Sequence, residues 1–266
     1  MLITPPQLLN LIGRSDVVIV DLADQGEYHG AHIPGAIHLA YEKLVAEHAP
    51  VAGFLPDSAQ FSRLLEELGV TRETYVIAYD ENGGGTAGRL LWMLDVIGHP
   101  RYALLDGGLS AWINEGHPVN NDRPDGRRGQ YTATYNDEAL ASKRYILTHL
   151  ADPNIVLLDT RSDDEYLGTI KRAERGGHIP GAVHLEWSRT LDQHNNRRIR
   201  SQQELRPLFE VLGVTPDKEI ITYCQSHRRA AHTYLILKSL GYPHVKGYPG
   251  SWSEWGNCDD TPIEVG

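Results

Sequence analysis

Short apolar runs alternate with amphipathic segments along most of the chain. The runs VVIVDL and NIVLLDT are uninterrupted, which is typical of β-strands covered on both faces. The segments AQFSRLLEELGV and SQQELRPLFEVLGV carry apolar residues at helical spacing, with Ser58 and Ser201 as expected N-caps and Gly69 and Gly213 as expected C-terminal stops. Strands that alternate with helices in this way predict an α/β fold with parallel sheets and helices on both faces.

The pattern occurs twice in the same order. The matching pairs of segments are 17–39 with 155–185, 65–80 with 209–224, and 98–112 with 241–255. The sequence therefore predicts two tandem domains, 1–120 and 141–266, each a mostly parallel sheet flanked by helices. Residues 121–140, which begin as a polar stretch rich in Gly, Pro and Arg, are the expected linker.

Because the chain is duplicated, its two halves can be compared. Residues that occur in both halves are expected to be structural, and residues that occur in one half are candidates for catalysis. The GAHIPGA and GGHIPGA turns occur in both halves and are expected to shape the backbone. Metal binding by His32 or His178 is not predicted, because no second ligand stands at a useful spacing. Cys224, the loop QSHRR after it, Arg161 and the cationic insert GTIKRAERGG (168–177) occur in the second half alone. At the position of Cys224 the first half has Asp80.

Composition narrows the classes of function. The 266 residues carry a net charge of −10, which argues against general nucleic-acid binding. Residues 1–124 carry −9 of this charge and residues 125–266 only −1, so the second half repels an anionic ligand less than the first. The sequence has no apolar run long enough for a bilayer, and its N-terminus is a poor secretory signal. With two cysteines, no disulfide framework is implied, and a cytoplasmic location is expected.

Cys224 follows a predicted strand and precedes a predicted helix, at the sheet edge where α/β proteins tend to bind ligands. Amides of a tight loop and the positive end of a helix dipole favour a thiolate, which is the nucleophilic form of cysteine. His227, Arg228 and Arg229 are expected to add a cationic rim. The alternative is a small apolar residue buried at a strand end. Cys258 lacks such surroundings and is not expected to be catalytic.

The number of residues between Cys224 and the next arginines also tests an alternative function, that of a phosphatase. Tyrosine-specific phosphatases need Cys, five residues, then Arg, but here that Arg position is Ala230, and Arg229 stands one residue earlier. A shorter loop makes a smaller cradle, which suits one extra sulfur atom on the cysteine better than a phosphoryl group. The phosphatase interpretation is therefore disfavoured.

These motifs together resemble the tandem-domain rhodaneses, which include thiosulfate and mercaptopyruvate sulfurtransferases. The resemblance rests on both HIPGA turns, the endings DGGLSAW and YPGSWSEW, and the loop CQSHRR, which is similar to the Cys-Gln-Thr-His-type loop of bacterial members. In that family the first domain is silent and has Asp where the second has Cys. The resemblance implies a double displacement in which Cys224 takes sulfur from a donor as a persulfide and passes it to an acceptor.

The same resemblance implies the roles of the site residues. Arg229 is expected to brace the loop through acidic partners, and the remaining positions are expected to bind substrate: Gln225, Ser226, His227, Arg228, Arg161 and Trp187. For Arg161, an ion pair with Asp159, Asp163 or Glu165 is an equal alternative. No cofactor or metal is implied, and a monomer is expected.

Two departures from mammalian members affect the donor. The residues after the cysteine, Gln225 and Ser226, are neutral, and Glu165 stands where those relatives have a pocket arginine. Thiosulfate is the first choice of donor and 3-mercaptopyruvate the second. The expected acceptor is cyanide or a thiol, including a thiol of a sulfur-acceptor protein. A persulfide carrier that hands sulfur to a partner protein is the competing hypothesis. No nucleic-acid or membrane partner is expected.

Overall fold

The computed structural model describes residues 1–46, 48–124, 126 and 128–266; Asp125 and Arg127 of the expected linker lie outside these residues. The chain divides into two units. The first unit comprises Met1–Leu44, Pro56–Asn136 and Leu191–Ile199, and the second comprises Val45–Leu55, Asp137–Thr190 and Arg200–Gly266. Each unit therefore includes one short segment from the other half of the sequence.

The first unit is built on a parallel sheet with strand order β1-β5-β4-β2-β3. Its strands are β1 (Leu2–Ile3), β2 (Val17–Asp21), β3 (Ala36–His38), β4 (Tyr75–Tyr79) and β5 (Tyr102–Leu105), with a small antiparallel pair, β8 (Leu191–Asp192) and β9 (Arg198–Ile199). Its helices are α1 (Pro5–Leu9), α2 (Gln25–Gly30), α3 (Ser58–Glu67), α4 (Gly85–Val96) and α5 (Gly108–Asn114), with a 3-10 turn at Tyr41–Leu44.

The second unit repeats this plan with strand order β11-β10-β6-β7, again parallel. Its strands are β6 (Ile155–Asp159), β7 (Val183–His184), β10 (Glu219–Tyr223) and β11 (Val245–Gly247). Its helices are α6 (Lys143–His149), α7 (Asp163–Tyr166), α8 (Gln202–Glu210), α9 (Arg229–Ser239) and α10 (Ser251–Trp255), with a 3-10 turn at Trp187–Thr190. Two parallel sheets flanked by helices confirm the predicted fold class.

Helix α3 begins one residue away from the sequence-based expectation. Its N-cap is Asp57, whose carboxylate accepts the backbone N–H of Gln60 at 2.7 Å, so the assignment of Ser58 as the cap was wrong. An ionised oxygen at the preceding position is a better acceptor near the positive end of the helix dipole. Ser201 caps α8 as predicted, through a capping box with Glu204.

The two HIPGA turns have the same internal structure. The imidazoles of His32 and His178 stack on Tyr28 and Tyr166, with ring centroids 4.0 and 3.7 Å apart respectively. Each Nδ1 lies at hydrogen-bond distance, 2.8 and 2.9 Å, from the backbone carbonyl of the tyrosine it stacks on. These contacts confirm that the turns shape backbone, because the rings are buried and bound to the scaffold.

The described part of the chain contains no helix that is both long and apolar enough to cross a lipid bilayer. Among the same residues, no group of three or more His, Cys, Asp or Glu side chains is arranged to hold a metal ion.

Candidate active site

Cys224 lies at the carboxyl end of β10, five residues before α9 begins at Arg229. Its backbone is fixed by the turn that opens α10. The Cys224 N–H donates to Ser251 Oγ at 3.3 Å, and the Trp252 N–H donates to the Cys224 carbonyl at 2.9 Å. The Cys224 side chain is 1% exposed. Burial alone would also suit a structural cysteine, so its neighbours decide between the two interpretations.

The guanidinium of Arg229 connects the cysteine to an acidic partner. Arg229 donates to Oε2 and Oε1 of Glu165 at 2.6 and 2.9 Å, the two-bond geometry that is strongest for this pair of groups. Burial alone would lower the pKa of Arg229. The hydrogen bonds and the charge of Glu165, together with the Cys224 sulfur beside the guanidinium, outweigh burial and raise that pKa. A permanent positive charge therefore lies beside the sulfur.

Glu165 is held for this contact by its own helix. Ser162 and Glu165 form a capping box at the start of α7, and the carboxylate is 3% exposed. Burial alone would raise the pKa of Glu165, but the hydrogen bonds and charge of Arg229, with bonds from Ser162, lower it to about 2. The carboxylate is therefore ionised at neutral pH, so Arg229 has a charged partner as the sequence analysis expected. Glu165 was not predicted as that partner, although its capping motif with Ser162 is visible in the sequence.

The equivalent loop of the first unit begins at Asp80, and its backbone amides bind the carboxylate of that residue. Oδ1 of Asp80 accepts the N–H groups of Asn82 and Gly84 at 2.9 and 2.8 Å. Oδ2 accepts those of Thr86 and Ala87 at 2.8 and 3.0 Å. Four amides thus converge on an anion placed at the position equivalent to Cys224, as in other backbone anion nests.

The two loops have equal length and partly the same backbone. Gly83 and its counterpart His227 are both left-handed, with φ of 93° and 58°, whereas Gly84 is left-handed and its counterpart Arg228 has a φ of −88°. A left-handed conformation is uncommon for a residue other than glycine and costs about 1–3 kcal/mol, so the surrounding structure must impose it on His227.

The expected cationic rim is only partly present. His227 is fully buried, with 0% exposure, so its assignment to that rim was wrong. The next residue, Arg228, is exposed. The positive charge at the surface of this loop therefore comes from Arg228, with Arg229 partly covered at 22% exposure.

Arg161 takes the ion-pair alternative of the sequence analysis. It is 1% exposed, and its Nη2 lies 2.5 Å from Asp159 Oδ2 and 2.7 Å from the Gly177 carbonyl. Its guanidinium also lies over the ring of Trp252, 4.5 Å from the centroid. These contacts explain its burial without a substrate, and its expected role in binding substrate stays a prediction.

Trp187 and Gln225 are placed by different elements. Trp187 opens a 3-10 turn and packs edge-on against His232 of α9, with centroids 5.2 Å apart. Gln225 is partly exposed, and its Nε2 donates to the carbonyl of Arg172 at 2.9 Å. Ser226, also partly exposed, follows it in the loop. Their predicted contacts with substrate remain predictions.

The insert 168–177 brings a further cation to the loop. Arg175 anchors it by donating to the carbonyls of Thr261 and Trp255 at 2.9 and 3.0 Å. Arg172 then lies with Nε 3.4 Å from Glu165 Oε1, and its side chain is 60% exposed. The insert was predicted to matter for its charge, but the sequence alone does not distinguish among its three cations.

A model of the Rhodanese-like domain matches residues 4–115 and 142–258. The chain belongs to the rhodanese family. Thiosulfate sulfurtransferase from Azotobacter vinelandii is 43% identical over 265 residues, which cover 100% of this chain and 97% of that protein. The protein of the same name from Pseudomonas aeruginosa is 42% identical over the same coverage. This membership confirms the predicted family and its tandem repeat.

A relative with a different name is the sulfur carrier protein TtuD of Thermus thermophilus. It is 35% identical over 252 residues, covering 90% of this chain and 87% of that protein. Among solved structures, the anaerobic ergothioneine biosynthesis enzyme of Chlorobium limicola superposes with a TM-score of 0.88 at 21% identity. That match covers 100% of this rhodanese and 70% of the other chain, and at this identity it shows the fold alone.

Proposed function

We propose that this rhodanese is a sulfurtransferase that moves the outer sulfur of thiosulfate to cyanide or a thiol through a persulfide on Cys224. The observation that carries the proposal is the position of Arg229, whose guanidinium interacts with the Cys224 sulfur while it is held by Glu165. The names of the relatives from Azotobacter vinelandii and Pseudomonas aeruginosa support thiosulfate as the donor.

In the first step the Cys224 thiolate attacks the outer sulfur of thiosulfate. The S–S bond of the donor breaks, its electron pair leaves with sulfite, and the enzyme keeps a persulfide with one negative charge. In the second step the carbon of cyanide attacks the outer sulfur of that persulfide, and thiocyanate leaves as the Cys224 thiolate forms again. Covalent catalysis thereby splits one difficult transfer into two simpler ones.

The loop amides are the proposed binding site for the outer sulfur. By the order of residues in the equivalent loop of the first unit, the counterparts of the four amides around Asp80 belong to Ser226, Arg228, Ala230 and Ala231. Donors that already point to the place where charge develops stabilise it without reorganisation. The different φ at Gly84 and Arg228 means that this set differs in detail from the set in the first unit.

Arg172 and Arg228 are the proposed cations that attract an anionic donor to the loop. Both are exposed, and Arg172 is held beside the loop by Glu165 and by the bond from Gln225 to its carbonyl. Local positive charge is needed because the whole chain carries −10. This arrangement favours a dianion such as thiosulfate over the singly charged 3-mercaptopyruvate, which remains the second choice of donor.

The second candidate function is a persulfide carrier that delivers sulfur to a partner protein, and the similarity to TtuD favours it. The two functions use the same loop and differ in rate. An enzyme turns over thiosulfate and cyanide many times, whereas a carrier is loaded once by a protein donor and turns over small donors slowly.

A steady-state assay of thiocyanate formation separates these functions. We expect many turnovers per active site and parallel double-reciprocal lines when thiosulfate is varied at fixed cyanide concentrations, since sulfite leaves before cyanide reacts. Cys224→Ser is expected to abolish turnover, and Cys258→Ser, the matched control, to retain it. A single turnover by the wild type would contradict the enzyme and favour the carrier, and loss of activity in Cys258→Ser instead would contradict the site.

A further inference from the structure

A segment from the first half of the sequence packs against the cysteine loop within the second unit. Residues 45–55 belong to that unit. The segment is folded on itself, since the Val51 N–H donates to the His48 carbonyl at 2.8 Å and the Ala46 N–H to the Phe54 carbonyl at 2.9 Å. Gly53, the residue before Phe54, lies against the backbone of residues 226 and 249.

The contact at Gly53 leaves no room for a side chain. A β-carbon there would lie 2.9 Å from the carbonyl oxygen of Ser226 and far inside van der Waals contact of the carbonyl oxygen of Pro249. Both neighbours are backbone atoms, which cannot turn aside as a flexible side chain can. Gly53 does not have a positive φ. Its requirement for glycine is therefore one of space and not of backbone conformation.

The backbone that Gly53 touches is the backbone that holds the cysteine. The N–H of Ser253 donates to the Gln225 carbonyl at 2.9 Å, as that of Trp252 does to Cys224. Ser253 Oγ accepts the N–H of Ala52 at 3.2 Å and donates to the Gly250 carbonyl at 2.8 Å. Residues 52–53 thus support the turn at 249–253 and the cysteine loop together.

The Ser226 carbonyl is the point where this support matters most. In a trans peptide the C=O and the following N–H point in opposite directions, so the contact with Gly53 also fixes the direction of the His227 N–H. His227 has a φ of 58°, and a strained residue of this kind persists only when its surroundings hold it. Gly53 is part of those surroundings.

We infer that Gly53 is a positioning residue for sulfur transfer. By lacking a side chain it lets residues 52–53 pack on the Ser226 and Pro249 carbonyls and keep the cysteine loop in its working conformation. This inference rests on the proposed function, because it concerns the rate at which Cys224 is loaded. It adds a residue 171 positions away in sequence to the groups that shape the site.

The test compares Gly53→Ala with Gly26→Ala. Gly26 is an exposed glycine of α2 where a β-carbon would meet nothing within 4 Å, so that variant is a matched control. We expect Gly53→Ala to lower kcat and the rate of persulfide formation about 10- to 100-fold, because small displacements of reacting groups cost that much. KM for thiosulfate is expected to change much less, and Gly26→Ala to behave as the wild type.

A folded Gly53→Ala enzyme with unchanged kcat and loading rate, even with a lower Tm, would overturn the inference. If Gly53→Ala does not fold, Ser253→Ala removes the acceptor of the Ala52 N–H without overpacking, and we expect it to lower kcat several-fold at unchanged KM. Unchanged kcat in that folded variant would equally overturn the inference. Failure of the proposed function looks different, since the wild type itself would then not load sulfur.

Discussion

Glu165 is the residue on which the electrostatics of the site depend. Its carboxylate is buried and accepts two hydrogen bonds from Arg229. Exposed Arg172 approaches the same carboxylate. The acidic residue thus holds one arginine beside the sulfur and brings a second to the surface next to it.

Glu165→Gln tests this role through stability. The pKa of Glu165 falls from about 4.5 to about 2 on folding. A depressed pKa contributes stability that is present above pH 4.5 and is lost as pH falls toward 2, an effect of about 3 kcal/mol for this shift. We expect Glu165→Gln to lower the free energy of unfolding at pH 7 by about that amount, and the difference from the wild type to vanish near pH 2.

Urea unfolding of both proteins across pH 7 to 2 measures this difference. The exposed pair of Arg200 and Glu204 provides a control, because an ion pair on the helix surface contributes little to stability. A difference between wild type and Glu165→Gln that stays constant over the whole pH range would show that the ionised carboxylate is not what stabilises Arg229.

At the scale of the element, the insert 168–177 distinguishes the second half from the first. Arg175 fastens it to the carbonyls around α10, and the indole N–H of Trp252 donates to the Arg175 carbonyl at 3.1 Å. The insert 168–177 is therefore an arm of the chain that these hydrogen bonds hold in place, and it carries the exposed side chain of Arg172. A cation carried by such an arm loses little side-chain freedom when it meets an anion, which makes it suited to capture of the donor.

Arg172→Gln tests the arm. We expect KM for thiosulfate to rise roughly 3- to 10-fold with kcat nearly unchanged, because an exposed charge acts on encounter and binding and not on the chemical step. The effect should shrink at high salt, which screens exposed charges. Lys171→Gln serves as the control, because Lys171 lies on the same arm but, among the residues that the structure describes, it is Arg172 that pairs with Glu165. A fall in kcat at constant KM in Arg172→Gln would instead assign it to positioning.

At the scale of the whole molecule, the duplication made most of the fold predictable. Two copies of each apolar run and turn indicate two parallel sheets, and the replacement of Cys by Asp80 in the first copy points to the site. Asp80 supports this comparison, because its carboxylate accepts four backbone N–H groups at the position that Cys224 occupies in the second copy.

The features that the sequence did not reveal depend on contacts between distant residues or on one backbone angle. Gly53 meets the loop only through the fold, and VAGF carries no motif that would indicate this. His227 has a left-handed φ of 58° and a buried side chain, and neither feature can be read from its sequence context. Acidic partners for Arg229 were expected, but many carboxylates of the second half could have served.

Intact mass spectrometry after thiosulfate and then cyanide tests the central claim most directly. We predict that the wild type and Cys258→Ser gain the mass of one sulfur atom with thiosulfate and lose it with cyanide, while Cys224→Ser never gains it. Labelling that survives in Cys224→Ser, or an added sulfur that cyanide cannot remove, would contradict the claim that Cys224 holds a transferable persulfide.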